Sequence, residues 1–220
     1  MPRIVHHTDW ILWLLLTSAA LLLAARLYNP KRFRAYLQLP IHVKRTELQD
    51  AFSPAVGRGL FDISLAVLSY LMYSLALYLL IHPHRGSAPL LSDWVMYLRL
   101  LFLLPLFFLV KNFLGLFVGW VFSQSEEIGQ AQNVNLAYRA WSAIFILPLC
   151  TLIVYFQPLY PVLYYVLSVL LILGYLVALQ FSVRKLWGMM APVYYKIFYL
   201  CALEITPLVF LVEWLKTLYQ

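Results

Sequence analysis

The stretch that decides the fold is Trp94–Phe122, WVMYLRLLFLLPLFFLVKNFLGLFVGWVF, in which the only charges are Arg99 and Lys111. A bilayer span takes about 20 apolar residues. This run is longer, so it must tilt, bend or extend beyond the bilayer. Lipid offers the backbone no hydrogen-bond partners, so the run has to satisfy its own amides and carbonyls as a helix. Working outward, similar apolar runs recur along the chain. They predict an all-α integral membrane helical bundle of about six transmembrane helices, at 10–27, 60–81, 95–122, 141–156, 159–181 and 194–215.

Composition says the same. Of 220 residues, 64% are hydrophobic and 11% charged, where soluble domains run near half apolar and a quarter charged. A soluble globule of this size could not hide that much apolar surface. The first run could be mistaken for a signal peptide. However, Asp9 and two histidines precede it while Lys31, Arg32 and Arg34 follow, the reverse of a signal-peptide flank. It reads as a retained span, and residues 1–220 read as one transmembrane domain without a soluble one.

The net charge of +7 is explained by topology. With alternating spans, Arg26, Lys31, Arg32, Arg34, Lys44, Arg45, Arg58, Arg139, Arg184, Lys185 and Lys196 fall on one side. Arg3, Arg85, Arg99 and Lys216 fall on the other. Basic loops stay cytoplasmic, so both termini are expected outside the cytoplasm. A basic cytoplasmic segment, 28–58, and a polar cytoplasmic loop, 123–140, would then face inward. Anionic lipid headgroups account for the charge, and nucleic acid is not expected as a partner.

Ionisable groups inside the membrane demand a reason, since a charge at a helix centre costs about 2.5–3.5 kcal/mol on insertion scales. Lys111 is twelve residues from Arg99 and from Ser123. Glu204 lies between Lys196 and Glu213 in the last span. Both are expected at mid-membrane, forming a polar network with Asn112 that fixes helix register or lines an ion or proton path. Gly115 and Gly119 form a small-residue face suited to helix packing. Pro105, Pro148 and Pro207 each remove a backbone donor within a span and are expected to kink it. Asp62 suits the N-terminal turn of its helix, and Ser64, Tyr70, Tyr73 and Ser74 supply hydroxyls for helix association. Cys150 and Cys201 sit in apolar stretches and read as small buried residues. No catalytic, metal-ligating or phosphate-cradling motif is legible, and no cofactor is expected.

Two segments carry a family resemblance: Asn29-Pro30-Lys31-Arg32-Phe33-Arg34 after the first span, and Phe198-Tyr199-Leu200-Cys201-Ala202-Leu203-Glu204-Ile205-Thr206-Pro207-Leu208 in the last. Together with span length and spacing, they resemble uncharacterised multi-pass membrane proteins of Bacteroidetes-type bacteria, catalogued as a domain of unknown function. The resemblance implies a bacterial inner-membrane protein and no particular activity. The leading functional expectation is a non-enzymatic subunit or assembly partner of an inner-membrane complex in envelope biogenesis or protein export. Its partners would be membrane lipids and other membrane-protein subunits. The rivals are a small transporter or ion- or proton-coupled channel using Lys111 and Glu204, and a membrane enzyme acting on a lipid.

Overall fold

The computed structural model describes residues 9–30, 33–34, 60–81, 93–121, 125–156, 160–188 and 213. Five long helices carry them: α1 (Asp9–Tyr28), α2 (Leu60–Ile81), α3 (Asp93–Val121), α4 (Ser125–Tyr155) and α5 (Tyr160–Gly188). No strand occurs among the described residues. Four helices contain apolar runs long enough to cross a membrane: Trp10–Tyr28, Phe61–Ile81, Trp94–Val121 and Asn135–Tyr155. The apolar part of α5, Pro161–Val177, is at the short end of the spanning range. The chain is therefore a helical membrane protein. The expected last span, with Glu204 and Pro207, lies outside the described residues.

The chain divides into two compact units, 1–101 with 140–170, and 102–139 with 171–220. In the first unit α1 packs along α2. The inward stripe of α1 reads Ile11, Leu14, Leu15, Ser18 and Ala25, all buried, the i, i+3, i+4, i+7 spacing of one helix face. Helix α2 is the hub of this unit, with Leu68, Met72, Leu75 and Ala76 fully buried. Tyr73 hydroxyl and Ser142 Oγ on α4 lie 2.6 Å apart in a hydrogen bond. Tyr164 hydroxyl on α5 donates to the Leu80 carbonyl at 3.2 Å. Serines that could not be left dry turn back on their own helices: Ser18 donates to Leu14 at 2.7 Å, Ser69 to Ala66 at 2.7 Å and Ser74 to Leu71 at 2.9 Å. This local bonding satisfies hydroxyls without water.

Aromatic rings gather at one end of the same unit. Trp10 meets Tyr78, Trp94 and Tyr97 at centroid distances of 5.5, 6.0 and 5.2 Å. The start of α1, the end of α2 and the start of α3 are thereby held at one level. Trp and Tyr are the side chains that suit a membrane–water boundary, with an apolar body and a polar tip. The Tyr97 hydroxyl is turned toward Ser74 but closes no hydrogen bond of good geometry, while Ser74 donates to Leu71.

Two details of the expected layout change. The stretch read as a polar loop, 123–140, is helical from Ser125 onward and forms the first half of α4. Polarity alone does not break a helix, and Glu, Gln and Ala are good helix formers. Beyond α1, the Phe33 amide bonds the Asn29 carbonyl at 3.0 Å, so Asn29-Pro30 opens a new helical turn. Asn at the cap and Pro in the first turn suit such a start.

Candidate functional site

The second unit contains the most concentrated chemistry among the described residues, where the end of α3 meets the start of α4. On α3, Phe108, Lys111, Asn112, Gly115 and Gly119 share a face by their i, i+3, i+4, i+7, i+11 spacing. On α4, Gln132, Asn135 and Arg139 do the same. Two contacts bring the faces together. Gln132 Nε2 donates to the Asn112 backbone carbonyl at 2.8 Å. The Arg139 guanidinium lies 3.9 Å from the centre of the Phe108 ring, a cation–π arrangement worth about 0.5–2 kcal/mol depending on desolvation.

Lys111, Asn112, Gln132, Asn135 and Arg139 are each half-buried, so the layer is partly open. Lys111, Asn135 and Arg139 all make further interactions. Gly115 and Gly119 are buried, whereas Phe113, Leu116, Phe117 and Trp120 on the same helix are exposed. Pro105 and Pro148 lie within continuous helices. In the first unit, Asp62 sits in the first turn of α2, and Cys150 is a buried free thiol.

Lys111 is 17 residues past Trp94 on α3, about 26 Å at 1.5 Å per residue, and its neighbour Asn112 is tied to Gln132, three residues before the apolar part of α4 (Asn135–Tyr155).

Glu204 and Pro207 lie outside the described residues, so the pairing of Lys111 with Glu204 is carried forward as a proposal. Sequence reading missed Gln132 and the contact of Arg139 with Phe108, placing Arg139 among the cytoplasmic-face charges. The available signal was their shared face on either side of the point where α4 turns apolar.

The family described as a domain of unknown function (DUF4271) matches residues 11–215. The chain belongs to this family. No curated protein and no solved structure matches it. For this DUF4271 chain, family membership thus leaves the reading of function to the geometry of its helices.

Proposed function

We propose that this chain is a non-enzymatic subunit or assembly partner of a bacterial inner-membrane complex, serving envelope biogenesis or protein export. In this reading it has six spans with both termini outside the cytoplasm, and Glu204 pairs with Lys111 to fix helix register. The observation that supports it is a mismatch in the α3–α4 hairpin. Gln132 on Asn112 sets the register, so α3 from Phe113 to Val121 runs alongside the first turns of α4. The α3 side is apolar and exposed at Phe113, Leu116, Phe117 and Trp120. The α4 side reads Ser-Glu-Glu-Ile-Gly-Gln-Ala-Gln-Asn from Ser125 to Asn133.

A bilayer cannot suit both sides. If it covers the hairpin tip, the polar start of α4 sits in hydrocarbon; if it stops short, four large apolar side chains meet water. Exposed apolar patches of this kind mark interaction surfaces. A second membrane-protein chain, apolar against α3 and polar against α4, resolves the conflict. The segment after α1, residues 28–58, would add a basic cytoplasmic contact.

The test is purification of the tagged full-length protein from its native membrane in mild detergent, followed by identification of stoichiometric companions. The expected result is a companion that is lost in a Phe117→Gln, Trp120→Gln variant still inserted in the membrane. A lone protein, or a companion indifferent to that variant, would overturn the reading and shift weight to transport.

A further inference from the structure

We propose that the Tyr97 hydroxyl binds a single buried water molecule, shared with the Ser74 hydroxyl, between α2 and α3 of the first unit. Tyr97 is 1% exposed, and its hydroxyl oxygen is buried with no hydrogen-bond partner. The packing around the ring is the cause. The Trp10 and Tyr78 rings close on the Tyr97 ring at centroid distances of 5.2 and 6.4 Å, and Trp94 backs Trp10 at 6.0 Å. These ring contacts bury the phenol but give its O–H no acceptor of bonding geometry, and lipid supplies none. A buried tyrosine hydroxyl ordinarily finds a partner, so this one points to a small polar occupant.

Ser74 supplies the other half of the site. The Tyr97 hydroxyl is turned toward it, and Ser74 lies four residues before Tyr78, on the same face of α2. Ser74 Oγ gives its proton to the Leu71 carbonyl at 2.9 Å. A hydroxyl has one donor and two lone pairs, so Ser74 remains an acceptor while Tyr97 keeps its own proton to donate. A water that accepts from Tyr97 and donates to Ser74 completes both groups. Two such bonds fall within the two to four that a buried water makes. Burial sets the size of the occupant: Ser74 is 0% exposed, Tyr97 1% and Tyr78 7%, which leaves no opening for a larger ligand. The water then joins α2 to α3, as the Tyr73–Ser142 bond joins α2 to α4.

The experiment has two readouts on the full-length protein, and the first is a matter of sign. A dry, unpartnered hydroxyl is a burden, so removing it in Tyr97→Phe would raise the unfolding temperature in detergent. A water-held hydroxyl gives the reverse, because Tyr97→Phe strands the water and Ser74. The unfolding temperature should then fall by about 2–4 °C, the range for loss of roughly one hydrogen bond in a chain of this size. Ser74→Ala should lower it similarly, and the double variant little further, since both changes break one bridge. The second readout is water-edited solid-state NMR of tyrosine-labelled protein in phosphatidylcholine bilayers. Early transfer from water should reach a tyrosine signal that disappears in Tyr97→Phe. A raised or unchanged unfolding temperature in Tyr97→Phe, or additive losses in the double variant, would overturn the proposal. So would a lowered temperature without water transfer to Tyr97, which would mean a direct Tyr97–Ser74 bond.

Discussion

The hydrogen bond between Tyr73 and Ser142, 2.6 Å long, joins α2 to α4. Such bonds between membrane helices contribute about 0.6 kcal/mol on average and up to about 1.7. Tyr73→Phe and Ser142→Ala should therefore each destabilise the first unit by about 1 kcal/mol, and the double variant by little more than either alone. Reversible unfolding in mixed micelles measures this, and strict additivity would mean the bond carries no coupling. The residue chemistry was partly legible. Hydroxyls on α2 read as association groups from sequence; Tyr73 bridges helices, while Ser64, Ser69 and Ser74 bond carbonyls of their own helix at 2.7–2.9 Å. A tyrosine reaches across an interface where a serine does not, so side-chain length decides which hydroxyl bridges. The pairing of Arg139 with Phe108 was not legible, because it depends on how two helices are rotated against each other, and apolar periodicity is weak when lipid and core are both apolar.

At the scale of the element, α4 is the informative case. Its first ten residues, 125–134, precede the apolar run Asn135–Tyr155, yet the helix is continuous through both. Hydropathy locates where a chain can enter lipid but not where a helix begins, so the polar turns read as a loop. Gly129 sits within them, and a Cβ added there would meet nothing within 4 Å. Glycine inside a helix costs about 1 kcal/mol relative to alanine. With no clash to offset the gain, Gly129→Ala should stabilise the start of α4 by about that amount in the isolated protein. Slower amide exchange over residues 126–133 would register it. Unchanged exchange would mean that these turns owe their helicity to packing. On the proposed reading the same open side leaves room for a docked chain beside α4, so a bulky Gly129→Trp should disturb partner binding while leaving insertion intact.

At the scale of the whole molecule, contacts within each unit align the helices of that unit. The Trp10, Tyr78, Trp94 and Tyr97 cluster brings the start of α1, the end of α2 and the start of α3 to one level. Tyr164 on Leu80 brings the start of α5 to the end of α2, and Gln132 on Asn112 runs α4 antiparallel to α3. Hydropathy carried this order in the sequence because each apolar run is bounded by polar connections. What it could not carry is the level of each residue within a run longer than the bilayer, since α3 stays apolar for 28 residues, Trp94 to Val121. On the proposed six-span order, Arg26, Asp62 and Arg139 would fall on one side, which the positive-inside bias would make cytoplasmic. Single cysteines introduced into a Cys150→Ala, Cys201→Ala background test the assignment in intact cells. A membrane-impermeant thiol reagent should label Ser87→Cys at once, and Thr46→Cys or Ser123→Cys only after permeabilisation. The opposite pattern would invert the molecule. Labelling of Thr46→Cys and Ser123→Cys from opposite sides would break the alternation itself, because an even number of spans, α2 and α3, separates the two positions.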